Sequence, residues 1–362
     1  MADAGVNPWT SKGVQNYEHV FKEFGLSEFP EKWRKKLDYY LFERNLIVAH
    51  RGFDKVMKRI EEKKPFINIT GIASSGPFHL GHKVDIDLFL YFKKLGAKNF
   101  FAIADIDGYT SREKIKTMSD AKKIAIDNTA DALALGLEPK DIYVQSQRDA
   151  RYFEFTFELS KKITGNMFNA VYGHVDIGKI SAAILQYADI IHPQLEEYAG
   201  KMPSVTGIGL DQDPHARLTR DIAKRLPYNL EVPGFIYFKH QSGLMEGSKM
   251  SSSEPGTAIF LSDSPQEIKR KVSKAFTGGW ESVEKQKRLG GKPDICKVCE
   301  ILKFHYPDSK KLNDIIHSCK SGERLCGETK AFTIEFLQKM LAEHQKKKEK
   351  MKSKAEKIVL GE

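Results

Sequence analysis

No stretch of this 362-residue chain approaches the ~18 to 20 consecutive apolar residues of a membrane-spanning helix, and Met1-Ala2-Asp3-Ala4-Gly5 carries neither a basic nor an apolar leader segment. The expectation is a soluble cytoplasmic protein with no membrane partner. Cysteine is scarce: only Cys296, Cys299, Cys319 and Cys326 occur, all in the last third. Cys296-x-x-Cys299 with two later thiols is a pattern able to hold zinc or an iron–sulfur cluster, but the second pair is spaced far wider than in a zinc knuckle, and reduced, packed thiols are the default in the cytoplasm. No tightly bound, protein-ligated metal is expected. No Gly-x-x-x-x-Gly-Lys-Ser/Thr occurs, which excludes a P-loop nucleotidase, and no internal repeat is present.

What the chain does have is length, an ordinary 41% hydrophobic content and an uneven net charge of +10. A chain of this size exceeds one typical domain, so two or three modules are expected. From Gly256 onward there are 23 lysines and arginines against 15 acidic residues, leaving only +2 for the first 255 residues. The last third is therefore the candidate surface for a polyanion, whose phosphates lysines contact without reading sequence. The densest run, from Lys346 to Lys357, also fits a solvated helix face and by itself establishes no RNA binding.

Periodicity orders the chain. Residues 1–64 read as a polar, mostly helical lead-in, with helices at 31–43 and 51–62. Residues 65–255 read as a nucleotide-binding sheet domain: strands at 66–70, 99–104, 142–145, 205–209 and 234–239, with a helix at 83–94. Strand, helix, strand makes a βαβ unit and implies a parallel sheet. A helical insertion at about 111–200, with helices at 119–135 and 152–162, joins the two halves. Helices at 265–276, 294–304, 310–320 and 326–350 make residues 256–348 an all-α domain, followed by a basic tail at 349–362. The fold class is α/β with a helical insertion and an all-α C-terminal domain.

Two motifs carry the chemistry. His79-Leu80-Gly81-His82 follows a strand and a small-residue loop, 71–77, and opens a helix. A helix N-terminus favours anions, and two imidazoles around a residue with no side chain can donate to phosphate while the backbone comes close. Lys249-Met250-Ser251-Ser252-Ser253 sits far downstream in a polar, glycine-punctuated stretch. An ammonium at such a position suits phosphoryl or nucleotidyl transfer, where cations stabilise developing negative charge. Either motif alone is weak evidence; the ordered pair points to ATP.

HLGH with KMSSS resembles the two signatures of class I aminoacyl-tRNA synthetases. Asn7-Pro8-Trp9-Thr10, Gly209-Leu210-Asp211-Gln212-Asp213-Pro214-His215 with Arg217-Leu218-Thr219-Arg220-Asp221, and Ser321-Gly322-Glu323-Arg324-Leu325-Cys326-Gly327-Glu328 look like the archaeal and eukaryotic tryptophanyl-tRNA synthetases. The resemblance spans nearly the whole chain, in order. It implies that His79, Gly81 and His82 contact ATP and that Lys249, Ser251 and Ser252 bind its phosphates. It also implies that Gly209 and Asp211 meet the ribose, that Met250 lies near the adenine, and that Mg²⁺ accompanies ATP. tRNA(Trp), L-tryptophan and a second copy of the chain, as a homodimer, are the implied partners. The helical C-terminal third would read the anticodon.

The amino-acid pocket departs from the eukaryotic pattern. A tyrosine and a glutamine that bind the indole N–H there are replaced by Ile69 and Ala102. Gln186-Tyr187-Ala188-Asp189-Ile190-Ile191 instead resembles a bacterial stretch whose aspartate accepts that N–H, which makes Asp189 the candidate specificity residue. Gln212 and Gln186 are candidates for the substrate ammonium group. Asp105, Asp107 and Tyr109 lie at a strand end by the pocket, and one of the two carboxylates is equally able to cap the next helix. A tyrosyl-tRNA synthetase shares HLGH, KMSSS and the Gln-x-x-Asp stretch and is the nearest rival; a non-catalytic RNA-binding paralogue is the rival from another class.

Overall fold

The computed structural model describes residues 21, 24–247, 250 and 255–362. Seven strands form one sheet: β1 Ser27–Glu28, β2 Ile47–Arg51, β3 Ile67–Ala73, β4 Lys98–Ala104, β5 Ile142–Val144, β6 Ser204–Gly209 and β7 Gly234–Phe238. Their spatial order is β1-β2-β7-β6-β3-β4-β5. The five strands from β7 to β5 run parallel, whereas β2 lies antiparallel to β7 and β1 antiparallel to β2. The sheet is thus mixed, a parallel centre with an antiparallel edge.

The helices of the first half are α1 Glu31–Lys36, α2 Tyr40–Glu43, α3 Asp54–Glu61, α4 Leu80–Lys94, α5 Asp105–Ser111 and α6 Met118–Leu135. The insertion adds α7 Ala150–Ser160, α8 Gly165–Tyr172 and α9 Ile177–Ile191; α10 Asp213–Arg225 lies between β6 and β7. The last third holds α11 Pro265–Lys274, α12 Val283–Leu289, α13 Lys297–His305, α14 Ser309–Ser321 and α15 Cys326–Leu360.

Alternation along the strands builds two apolar layers. Phe101, Ile103, Ile142 and Val144 pack with Ile86 and Phe89 of α4 and with Leu337 and Leu341 of α15. Ile67, Ile69, Ala102 and Tyr143 form a separate cluster. The insertion has its own core, in which Tyr152, Phe155 and Leu159 of α7 meet Tyr187, Ala188 and Ile191 of α9.

Three parts of the chain differ from the sequence reading. The mostly helical lead-in contains β2, whose Ile47-Val48-Ala49 run is buried and pairs with β7. β-branched residues in a buried row favour a strand over a helix, and that signal was outweighed by the polar residues around it. The helix expected at 31–43 breaks into α1 and α2, and α12 is additional. The stretch read as a basic tail is helix as far as Leu360, with Ala355 and Val359 fully buried. Gln147 Nε2 donates to Val359 O at 3.1 Å, and just before this stretch, on the same helix, His344 Nε2 lies 2.8 Å from Asp131 Oδ1 and Lys348 reaches Asp131 at 2.9 Å and Asp127 at 2.7 Å on α6. Asn7-Pro8-Trp9-Thr10 lies outside the described residues.

From β3 the chain winds through β4 and β5 on one side and returns through β6 and β7 on the other, so the strand order reverses between β3 and β6. These two strands pair only at Ile67–Ser204 and Asn68–Val205. Beyond that register they part, and a cleft opens at their carboxyl ends, where sheets of this kind bind ligands.

Candidate functional site

A cavity of about 550 Å³ fills that cleft. Its walls come from both strand ends, Ile69–Ala73 and Thr206–Gly209, from the start of α4, and from α9. His79, Gly81, His82, Asp107, Gln186, Asp189, Gly209, Asp211, Gln212 and Met250 all line it. Tyr109 does not: it is 38% exposed on α5, away from the lining. Lys249, Ser251 and Ser252 lie outside the described residues.

The first motif caps its own helix. His79 Nδ1 accepts from the Gly81 N–H at 3.1 Å, and His82 Nδ1 accepts from the His79 N–H at 3.1 Å. These bonds satisfy two of the amide donors at a helix start. An imidazole whose Nδ1 accepts carries its proton on Nε2, so both rings are Nε2–H tautomers. The two rings stack with centroids 3.9 Å apart. A Cβ on Gly81 would come within 2.8 Å of His79 Cε1, so only glycine lets the ring fold back over the helix start. Burial and the adjacent His79 ring push the pKa of His82 well below the ordinary imidazole range, and its ring is neutral at physiological pH.

The second motif is tied to the first by its exit. Leu80 N–H donates to Ile259 O at 3.0 Å and Leu261 N–H to Phe78 O at 2.9 Å, a two-rung antiparallel ladder across His79 and Phe260. The loop itself is closed at its base, where Leu244 N–H donates to Thr257 O at 2.9 Å. Met250 is buried in the same apolar cluster as Phe78, Leu80 and Phe260.

At the end of β6, Asp211 Oδ1 lies 2.7 Å from His240 Nε2. A Cβ on Gly209 would meet Asp211 Oδ1 at 2.7 Å, so this strand end too is closed to side chains. His215 is buried and held through Nδ1 by Tyr172 Oη at 2.7 Å; burial pushes its pKa down to about 3. Asp85, one turn after His82, also faces the cleft, and burial with the Asp211 and Asp87 charges raises its carboxyl well above the usual range. Sequence reasoning passed over both His240 and Asp85. Neither sits in a motif, and His240 meets Asp211 only because β6 and β7 are neighbours.

On the opposite wall the Asp189 carboxylate, 7% exposed, is wrapped by donors. Tyr143 Oη donates to Oδ1 at 2.8 Å, Tyr152 Oη to Oδ1 at 2.7 Å, and Gln145 Nε2 to Oδ2 at 2.7 Å. The amide of Gln145 has one allowed orientation, because its Oε1 accepts the Asp107 N–H at 3.0 Å. Burial raises the Asp189 pKa to about 6, the three donors pull it back down, and the Asp107 charge adds to the rise. Burial likewise raises Asp107 to about 6, against the Ser111 and Arg112 contacts. Of the two carboxylates beside this strand end, Asp105 is the structural one: its Oδ1 accepts the Ile106 and Ser146 N–H groups at 3.0 Å each. Ile69 and Ala102 line the cavity as apolar wall.

The four cysteines, 30 residues apart in sequence at most, also meet. They line a separate cavity of about 10 Å³ with Thr277, Gly278, Lys292 and Thr329, and all are free thiols. Among the described residues no group of three or more histidine, cysteine, aspartate or glutamate side chains is arranged to hold a metal ion. Nor, among them, is any helix long and apolar enough to cross a membrane.

With this geometry in place, known proteins give it a context. Residues 61–342 match the family described as tRNA synthetases class I (W and Y). The tryptophan–tRNA ligase of Aeropyrum pernix is 39% identical over 370 residues, covering 99% of this chain and 99% of that protein. The tryptophan–tRNA ligase of Methanocaldococcus jannaschii is 35% identical, covering 98% of each. The crystal structure of tryptophanyl-tRNA synthetase from Aeropyrum pernix superposes with a TM-score of 0.89 at 39% identity, over 95% of this chain and 96% of that one.

Proposed function

The chain belongs to the class I tRNA synthetases of the tryptophan and tyrosine kind, and from that premise we propose that it is a tryptophan–tRNA ligase. It activates L-tryptophan with ATP and transfers the aminoacyl group to tRNA(Trp). The observation that carries this reading is the single cleft at the strand reversal, in which the HLGH imidazoles, Asp211 and the buried Asp189 face one another.

The tryptophan carboxylate attacks the α-phosphate in line, the bond to the β-phosphate breaks, and pyrophosphate leaves with the electron pair. Charge builds on the phosphate oxygens, so the enzyme needs donors and cations there rather than a nucleophile of its own. His79 and His82 present their imidazoles at a helix start, and the His82 ring is held neutral by burial. Lys249, Ser251 and Ser252 bind the pyrophosphate from the loop closed by Leu244 and Thr257. Asp211, oriented by His240, accepts from the ribose hydroxyls beside Gly209, and Met250 borders the adenine. Mg²⁺ travels with ATP, held by its phosphates and water.

Asp189 accepts the indole N–H, while Gln186 and Gln212 take the ammonium group and Asp107 lines the same end of the cleft. In the second step a ribose hydroxyl of the terminal adenosine of tRNA attacks the adenylate carbonyl, and AMP leaves. The basic helical third holds the anticodon arm, the active form is a homodimer, and the protein works in the cytoplasm. ATP–pyrophosphate exchange with each amino acid tests the assignment: exchange with tryptophan is expected, whereas exchange with tyrosine and none with tryptophan makes the chain a tyrosyl enzyme.

A further inference from the structure

The Asp189 wall is built more tightly than acceptance of one N–H requires. We propose that Tyr143, Gln145 and Tyr152 are positioning residues that hold the Asp189 carboxylate as an anion with a single open acceptor position, and so set the preference for tryptophan. The proposal rests on the reading that Asp189 accepts the indole N–H.

A carboxylate has about four acceptor positions, two on each oxygen. Oδ1 is filled by the hydroxyls of Tyr143 and Tyr152, and Oδ2 has taken one from Gln145. One position remains, on Oδ2, and Asp189 lines the cleft. An indole presents one donor and no acceptor, which matches that vacancy. A phenol would add oxygen lone pairs to a wall whose two hydroxyl protons already point at Asp189, and an unpaired buried acceptor is costly.

The positioning groups are themselves fixed. Arg148 lies over the rings of Tyr143 at 4.8 Å, Tyr152 at 5.6 Å and Tyr198 at 4.6 Å from their centroids. The Tyr152 ring stands edge-on to His192, whose Nδ1 is bonded to the Ala188 and Asp189 carbonyl oxygens at 2.9 and 3.1 Å. Gln145 is locked by the Asp107 N–H.

The charged and titratable groups around Asp189 come from every neighbouring element: Tyr143 and Arg148 at the end of β5, Tyr152 on α7, Asp107 on α5 and His192 after α9. Burial and the nearby Arg148 push His192 down to about 3, so it is neutral here. Asp107 opposes ionisation of Asp189, and the three donors favour it. Removing one hydroxyl therefore moves the Asp189 carboxyl further up. Since binding needs the anion, affinity for tryptophan is lost as pH falls through the carboxyl pKa, and in a variant with fewer donors that loss begins at higher pH.

The experiment measures equilibrium tryptophan binding across the acid-to-neutral range, with the KM for ATP in pyrophosphate exchange as control. The proteins are wild type, Tyr143→Phe, Tyr152→Phe and Asp189→Asn. Each Tyr→Phe change keeps ring and packing, and is expected to weaken tryptophan binding by about 10-fold at neutral pH, the scale of a hydrogen bond to a charged group. It should also raise the pH midpoint by about a unit or more, narrow the tryptophan-over-tyrosine ratio and leave the KM for ATP unchanged. Asp189→Asn should weaken binding and flatten the pH profile. If Asp189→Asn binds tryptophan like wild type, the underlying reading fails. If Asp189→Asn is weakened but both Tyr→Phe variants keep the wild-type midpoint and amino-acid preference, Asp189 stands and the positioning role is overturned.

Discussion

The two sides of the cleft are made in opposite ways. On the phosphate side, the imidazole hydrogen bonds described within HLGH span two or three residues, His79 to Gly81 and His82 to His79, and the backbone ladder then ties the motif to residues 259–261. On the amino-acid side, Asp189 is shaped by residues 37 to 46 positions away. A local constellation survives in any protein that keeps four residues in order, and a distant one exists only when β5, α7 and α9 have packed. On the proposed reading, phosphate binding is written in a motif and selectivity in a fold.

If that contrast is right, the phosphate side should fail at single positions. Lys249→Ala is expected to lower the rate of adenylate formation by about 10² to 10³, the loss seen when one charge-stabilising group is removed. Its Tm should match wild type in thermal melting, and an unchanged rate would take Lys249 out of the mechanism. Gly81→Ala drives a methyl into the His79 ring, and the displaced imidazole should cost about 10²-fold in pyrophosphate exchange. A variant with normal exchange would show that the ring need not fold over the helix start.

On the amino-acid side, Asp189→Asn should reduce kcat/KM for tryptophan by about 10- to 100-fold and barely touch the KM for ATP. Equal losses for both substrates would mean that the carboxylate holds the fold together rather than reading the indole. The smallest effect separates the sides by pH. His82 is held neutral by burial, so its donor does not titrate as pH falls from neutrality, whereas Asp189, raised to about 6, gains a proton there. The KM for tryptophan should rise a few-fold at pH 6 and below while His82 contributes no such change to the KM for ATP. A parallel rise in both would erase the distinction.

The same contrast explains what could be read in the chain beforehand. The five parallel strands stand within a few residues of where their short apolar runs put them, because local composition and burial agree. β2 was hidden because it pairs antiparallel with β7, about 190 residues later, amid a polar lead-in. The lysine-rich end did not reveal its buried positions, since Ala355 stands alone among charges and Val359 lies in a run of only three apolar residues, and both matter only once α15 packs on the rest of the chain. Gly81, Gly209, Asp211, Gln186, Gln212 and Asp189, singled out by a motif or by the resemblance, all line one cleft. Tyr143, Gln145 and Tyr152 carry no motif; their meaning is their distance from Asp189.

The ladder that joins residues 78–80 to residues 259–261, and the bond that closes the loop between Leu244 and Thr257, also set a concentration. Lys249 is five residues from Leu244, and at ~3.5 Å per residue its Cα stays within about 18 Å of that base. One ammonium confined to such a volume is present at an effective concentration of roughly tens of millimolar. A lysine carried on a longer or open-ended strand would be diluted. On the proposed role of Lys249, the cleft would thus have a local supply of cation, independent of the cation content of the surrounding solution, each time a pyrophosphate is made.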